Sequence, residues 1–282
     1  MDKLNKNEIK SRALQLRASY KASLQAPHAW EEDVSRVRHL FRKGAVLVDI
    51  GGGISAHNGV LAQMGMSVYV VDVLGDYWEH RDTDAASIAA EVKLLESCGA
   101  RFIEREISTC DLTKYFADNS VDIVTSFHCI EHLHSSPKVP LESAMHVLKP
   151  GGTMIIEVPN AANLRKRLAL LLGRTNYGPY NSLYYSDRFW GHIREYTTGD
   201  LQQLAANLGA CTYRISGRNT IYGDWVERIP AMLRSAVDHS LRVLPGLCSA
   251  LVLEITKAKQ SGTDGQGAIT EKVENVNCSS DK

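Results

Sequence analysis

Charge of one sign is missing from this sequence. Lys and Arg together number 32, and so do Asp and Glu, so the 282 residues carry no formal net charge. A dedicated nucleic-acid binder normally shows a basic surplus, and zero balance removes that electrostatic case. Paired cysteines are missing as well. The six stand at 98, 110, 129, 211, 248 and 278, and none forms a C-x-x-C pair. That spacing fits neither a zinc ribbon nor a secreted disulfide framework, so a reducing compartment is expected. No run reaches the roughly 18–20 apolar residues of a membrane span. The most apolar stretch, Ile229–Ile255, is broken by Arg234, Asp238, Arg242 and Pro245. The opening MDKLNKNEIK is charged and lacks the apolar segment of a signal peptide. These absences lead us to expect a soluble, cytoplasmic protein.

Hydrophobic residues make up 44% and charged residues 23%, an ordinary globular balance with material for a sizeable core. Residues 1–43 carry spaced Leu, Ile and Val among charges, the pattern of an N-terminal helical extension. From residue 44 apolar runs alternate with helical patterns. Strands are expected at 45–50, 67–73, 100–106, 121–127 and 153–159, with helices at 59–65, 83–99 and 141–152 between them. This alternation implies an α/β domain over 44–259 built on a parallel, doubly wound sheet. Residues 160–196 hold no clear strand, and seven aromatics fall between Tyr177 and Tyr196. We read that segment as an inserted lid. Thr197-Thr198-Gly199-Asp200 then has capping-box spacing. Strands follow at 211–216 and 249–257, and the polar tail 260–282 is expected to be disordered.

The sharpest feature is the strand–loop–helix–strand run at 46–73. An apolar strand leads into Asp49, then Gly51, Gly52 and Gly53, then a helix, then a second strand ending at Asp72. Glycine lets a ligand lie against the main chain, and open α/β sheets bind ligands at the carboxyl ends of their strands. An acid at the end of the second strand can accept hydrogen bonds from both hydroxyls of a ribose. Gly51-x-Gly53-x-x-Ala56 with an acid about 20 residues on also satisfies a dinucleotide fingerprint. Asp49 separates the two readings. Its carboxylate, just under the loop, would repel a pyrophosphate but can bind the ammonium group of an amino-acid moiety. That favours S-adenosyl-L-methionine.

Here the sequence resembles the class I S-adenosylmethionine-dependent methyltransferases, in particular the small-molecule group related to ubiquinone-biosynthesis O-methyltransferases. The resemblance spans about Val46 to Lys257. Asp49-Ile50-Gly51-Gly52-Gly53-Ile54-Ser55 is similar to the family's D-x-G-x-G-x-G, with Ser55 in place of the last glycine, where it can cap the next helix. VDIVTSFHCIEHL (121–133), VLKPGGTMIIEVPN (147–160) and GHIREYTTGDLQQLAANLGA (191–210) resemble later motifs in order. The resemblance implies a Rossmann-like, seven-stranded core. It assigns Asp49, Gly51 and Gly53 to the methionine end, Asp72 and Val73 to the ribose side, and Asp111 and Leu112 to the adenine. His128 would line the methionine part through its backbone.

Methyl transfer to a hydroxyl is an in-line displacement that gains from removal of the hydroxyl's proton. His132, at the expected carboxyl end of the fourth strand, is our first candidate base, and His192 in the lid is the second. Glu131 and His132 can equally brace the next helix. His128, Glu131 and His132 also have the i, i+3, i+4 spacing of one helical face. No metal is expected there, because the first position is His where metal-holding relatives have a carboxylate. Tyr177, Tyr180, Tyr184, Tyr185, Phe189 and Trp190 can stack on a sugar or phenolic ring. Arg165, Lys166, Arg167 and Arg174 can bind a phosphate or an anionic membrane surface. The expected activity is O-methylation of a small-molecule hydroxyl, on a sugar, quinol or lipid-linked acceptor. The alternatives are an NAD(P)-dependent oxidoreductase and a non-catalytic cofactor-binding scaffold.

Overall fold

The computed structural model describes residues 11–12, 37–74, 85–174, 177, 180–185, 189, 191–210, 212–219 and 243–259. The expected N-terminal helices and the polar tail lie outside the described residues, apart from 11–12 and 37–43. Seven strands form one sheet: β1 (Val46–Ile50), β2 (Ser67–Asp72), β3 (Arg101–Glu104), β4 (Val121–Phe127), β5 (Leu148–Pro159), β6 (Thr212–Arg218) and β7 (Ala250–Thr256). The described α-helices are α1 (Ala56–Gln63), α2 (Ala85–Ser97), α3 (Lys138–Val147), α4 (Leu164–Leu171), α5 (Tyr180–Tyr184) and α6 (Thr198–Asn207).

The strand order is β3-β2-β1-β4-β5-β7-β6. From β1 the chain winds outward through β2 to β3, then returns to the other side of β1 as β4. That reversal opens a crevice at the carboxyl ends of β1 and β4, the place where such sheets hold ligands. The first five strands are parallel, as their Val- and Ile-rich runs predict for strands covered on both faces. The sheet is nevertheless mixed. β7 inserts between β5 and β6 and runs antiparallel to both. One core, with Leu47, Val60, Leu61, Val68, Val70 and Leu95, lies under α1 and α2. A second, with Val48, Val124, Leu141, Met154, Ile156, Leu201 and Leu253, lies under α3 and α6.

α3 is shorter than the sequence predicts. It ends at Val147, and Leu148 already belongs to β5. The Lys149-Pro150-Gly151-Gly152 run is an irregularity inside the strand pairing, where Val121 faces Leu148 but Ile123 faces Thr153. Gly151 has φ +78, and a Cβ on Gly152 would lie 2.8 Å from Lys149 O and 3.0 Å from Asp122 O. The glycines therefore serve a bulge and not a helix end.

The segment after β5 leaves and rejoins the sheet at one point. Asn160 bridges Tyr196, Ala161 N–H donates to Tyr196 O (2.9 Å), and Tyr196 N–H donates to Pro159 O (3.2 Å). Thr197 and Asp200 then form the reciprocal capping box that starts α6. Asn160 is buried and ties this root to the β6–β7 side. Its amide donates to Gly246 O (3.0 Å) and Cys248 O (2.7 Å), and its Oδ1 accepts from Ala162 N–H (2.9 Å). Among the described residues no helix is long and apolar enough to cross a membrane.

Asn160→Ala removes the side-chain donor to Cys248 O and the acceptor of Ala162 N–H, while Gly246 O keeps Arg167 Nη2 (3.4 Å). It is expected to lower unfolding stability by about 2–4 kcal/mol, at roughly 1–3 kcal/mol per unsatisfied group. Urea denaturation checks this, and a change below about 1 kcal/mol would show that water replaces the contacts.

Candidate active site

The crevice begins with a buried carboxylate. Asp49, near the end of β1, is fully buried. Its Oδ1 accepts from Thr125 Oγ1 on β4 (2.6 Å). Its Oδ2 accepts from Asn58 Nδ2 (2.8 Å) and faces His57 Nε2 (3.1 Å), both on α1. Ser55 stands at the N-cap position of α1, but its hydroxyl makes no cap bond. It meets His57 Nδ1 at 2.6 Å and so extends the same network. A Cβ on Gly52 would collide with Asp49 Oδ2, and one on Gly51 with Cys129 Sγ. Gly51 and Gly53 also hold left-handed φ of +72° and +52°. The glycine run is thus dictated by close approach as much as by turning.

Asp72 closes the corner from β2. Its Oδ2 accepts from Gly53 N–H and its Oδ1 from Val73 N–H, each at 2.7 Å. Desolvation pushes its carboxyl up to about 7, against those two lowering bonds, and the charges of Asp49 and Glu106 add to the rise. Each oxygen keeps a second lone pair for a ligand. Asp49, Gly51, Gly53, Asp72 and Val73 therefore converge at one corner.

Asp111 and Leu112 lie further along the loop that follows β3. Asp111 accepts from the hydroxyl and N–H of Thr113, which hold its carboxyl below the ordinary range. Its other charged neighbours are Lys114 and His146, the latter near the end of α3 that leads into β5. Leu112 is fully buried in the second core and donates its N–H to Ser143 Oγ (3.0 Å). Glu106 and Ile107 stand beside the corner. Glu106 acts electrostatically on Asp72, and Ile107 Cδ1 lies 3.4 Å from where a Cβ on Gly51 would stand. Sequence reasoning did not single out Glu106 and Ile107. The available signal was register, since Glu106 follows directly on β3.

At the end of β4 the chain turns through His128, whose φ is +52°. The three-residue spacing does not form a shared helical face, because only Ile130–His132 is helical, as one 3₁₀ turn. His128 lies between two fully buried carboxylates, with Nδ1 3.5 Å from Glu131 Oε1 and Nε2 3.2 Å from Glu157 Oε1. Burial opposes its charge, yet the two carboxylates push its pKa up to about 9. Arg218 Nη1 stands 3.6 Å from Glu157 Oε2. About a third of the His128 side chain (36%) is exposed, so this imidazolium is the part of the cluster that meets solvent.

His132 and His192 do come together, with ring centroids 4.9 Å apart in an edge-to-face contact. The returning segment is stitched onto the 3₁₀ turn by its backbone. Ile193 N–H (2.7 Å) and Arg194 N–H (3.2 Å) donate to Glu131 O, while His132 Nδ1 and His134 Nε2 meet Gly191 O (3.3 Å) and Phe189 O (3.2 Å). Glu195 accepts from His192 Nδ1 (2.9 Å) and pairs with Lys166 of α4. Those two partners hold its carboxyl below the ordinary range although burial opposes them. Arg194 pairs with Asp200 (2.8 Å) and not with Glu195. Two of the four basic residues proposed for anion binding are thus engaged by the protein: Lys166 with Glu195 and Arg167 with Ala162 O. Tyr177, Tyr180, Tyr184 and Tyr185 are exposed, and the last three contact one another; Trp190 lies outside the described residues.

A family model described as "Methyltransferase domain" matches residues 22–211. No curated protein sequence matches the chain. Solved structures share the fold at low identity. A SAM-dependent methyltransferase from Thermotoga maritima, a possible histamine N-methyltransferase, is 15% identical, with 90% of this chain and 100% of that one covered and a TM-score of 0.49. Phosphoethanolamine N-methyltransferase 2 from Haemonchus contortus, bound to S-adenosyl-L-methionine, is also 15% identical, with 89% and 57% covered and a TM-score of 0.52. The YcgJ protein of Bacillus subtilis is 16% identical, with 83% and 100% covered and a TM-score of 0.50. Neither the family match nor the geometry supports the oxidoreductase alternative. A glycine corner braced by buried acid, at the point where the strand order reverses, together with a match over residues 22–211, means that this chain belongs to the methyltransferase domain family.

Proposed function

We propose that the chain transfers the methyl group of S-adenosylmethionine to a hydroxyl of a small molecule. The observation that carries this reading is the meeting of His132 and His192 beyond a corner suited to the donor. Asp72 accepts the ribose hydroxyls with the lone pairs its backbone bonds leave over. The loop after β3 lines the adenine, through Glu106 and Ile107 beside the corner and Asp111 and Leu112 further along it. Gly51 and Gly53 let the methionine end lie against the main chain. Asp49 shapes the loop, its oxygens being loaded with protein donors, and its charge attracts the ammonium group from beneath. His128 presents its backbone, and its cation offsets Glu131 and Glu157.

The hydroxyl preference rests on chemistry. A neutral amine can attack with its own lone pair, whereas a hydroxyl gains most when its proton is drawn away. Two imidazoles, buried enough to be oriented and open enough to meet an acceptor, suit the second case. The N-methyltransferases among the structural neighbours share the fold and do not fix the acceptor.

Two outcomes follow. Hydrogen-bond acceptance by Asp72 needs the carboxylate, and its pKa near 7 places that ionisation within the working range. Protonation must then weaken donor binding as pH falls. The Kd for S-adenosylhomocysteine is expected to be about tenfold weaker at pH 6 than at pH 8, and Asp72→Asn should bind weakly at both. Isothermal calorimetry reads this directly, and a flat wild-type profile would remove the role. His132→Ala should leave that Kd within about twofold and cut methyl transfer by roughly 10²–10⁴-fold. A radiolabelled donor with a panel of phenol, sugar and lipid-linked acceptors measures transfer. Turnover that survives His132→Ala but not His192→Ala would make His192 the principal group.

A further inference from the structure

Glu131, His132 and His192 offer one ligand atom each, and these three atoms lie within 4.8 Å of one another. The partners of the two rings settle which nitrogen each presents. His132 Nδ1 faces Gly191 O, and a carbonyl can only accept, so Nδ1 carries the proton and the lone pair sits on Nε2. His192 Nδ1 faces the Glu195 carboxylate, itself paired with Lys166, and the same logic puts its lone pair on Nε2. Imidazoles whose far nitrogens are fixed by a carbonyl and a carboxylate are in the orientation that metal-ligating histidines adopt. The third group supplies an independent observation. Glu131 is fully buried, and neither of its oxygens accepts a hydrogen bond from a described residue; the nearest cation is His128, at 3.5 Å. His128 offsets its charge from one side, but a buried carboxylate that accepts no hydrogen bond is costly, and a second cation would satisfy it.

We infer that Glu131, His132 and His192 form a binding site for a divalent transition metal, zinc being the best match to two imidazoles and one carboxylate. Three protein ligands leave a coordination position open, and the 38% exposure of the His192 side chain leaves that side accessible. The chemical role rests on the methyltransferase reading above. With the metal bound, His132 and His192 would act through it and not as free bases: an acceptor hydroxyl bound there would release its proton to water more readily, because the cation would stabilise the oxyanion. Its oxygen then bonds to the methyl carbon as the carbon–sulfur bond breaks, and that electron pair stays on the sulfur.

The test uses the untagged full chain, stripped with chelator and titrated with Co²⁺ alone while visible absorption is followed. One Co²⁺ per chain is expected, with ligand-field bands that Zn²⁺ abolishes by displacement. Glu131→Gln, His132→Ala and His192→Ala should each weaken binding by roughly 100-fold or more, and Glu195→Gln, which touches no metal, by about tenfold. His128→Ala removes a cation beside Glu131 and should not weaken binding, whereas a triad built on His128, Glu131 and His132 would lose it. Circular dichroism melts confirm that each variant is folded. Absence of stoichiometric Co²⁺, or wild-type affinity in folded His192→Ala, overturns the site. S-adenosylhomocysteine binding, measured on the stripped chain, keeps the two readings apart. A chain that binds the nucleoside but no metal loses only this inference, and one that binds neither loses both.

Discussion

A single carboxylate, Asp49, makes the donor corner possible. An ion in a fully buried position costs several kcal/mol unless donors surround it. Here Thr125, Asn58 and His57 supply them from β4 and α1. One side chain thus locks the two central strands to the first helix, at the place where the strand order reverses. The same carboxylate occupies the space a side chain at Gly52 would need, so the loop above it must be bare. Gly53, anchored through its N–H to Asp72, carries the constraint across to β2. Strand ends, loop and helix start are therefore one cooperative unit.

The crevice collects negative charge, with Asp49, Asp72, Glu106, Glu131 and Glu157 at strand ends or just beyond them, and among the described residues His57 faces Asp49 while His128 and Arg218 stand beside Glu157. A sulfonium donor with an ammonium tail is drawn to such a field, and the neutral thioether product is held less strongly. That field selects the donor without speeding transfer, because the positive charge it favours is already present in the ground state. Acceleration must come from the acceptor side. On the proposed reading His132 and His192 stand there, with Glu195 and Lys166 behind one ring and Gly191 O behind the other.

Much of this was legible in the sequence where local chemistry decides. The strand at 121–127 appears with those bounds, and the Thr197–Asp200 capping box is formed, because burial on both faces and cap spacing leave a local mark. The glycine run, Asp49 and Asp72 meet as their spacing suggested. Errors arose where tertiary context overrides a local signal. Lys149–Gly152 reads as a helix stop yet forms a bulge in β5. Glu106 and Ile107, which stand beside Asp72 and Gly51, carry no motif of their own. Ser55 has the identity of a helix cap, but His57 competes for its hydroxyl and wins. The pairing of His132 with His192 carries no local mark, since it depends on a segment folding back from far along the chain.

That return divides the molecule into two functional halves with different dependencies. The donor corner is built from β1, α1, β2 and β4, and needs nothing after β5 except the packing of the sheet. The acceptor side needs Asn160 and Tyr196 to pin the root of the 161–195 segment, and Glu131 O to accept two N–H groups from its last residues. Closing a loop of that length costs only a few kcal/mol of chain entropy, because the cost grows logarithmically with length. A handful of backbone bonds, plus the Lys166–Glu195 pair, is enough to hold it. Sequence change within 161–189 can therefore reshape what meets the imidazoles while the donor corner stays intact. This is how one sheet and one donor site can serve acceptors of different shape.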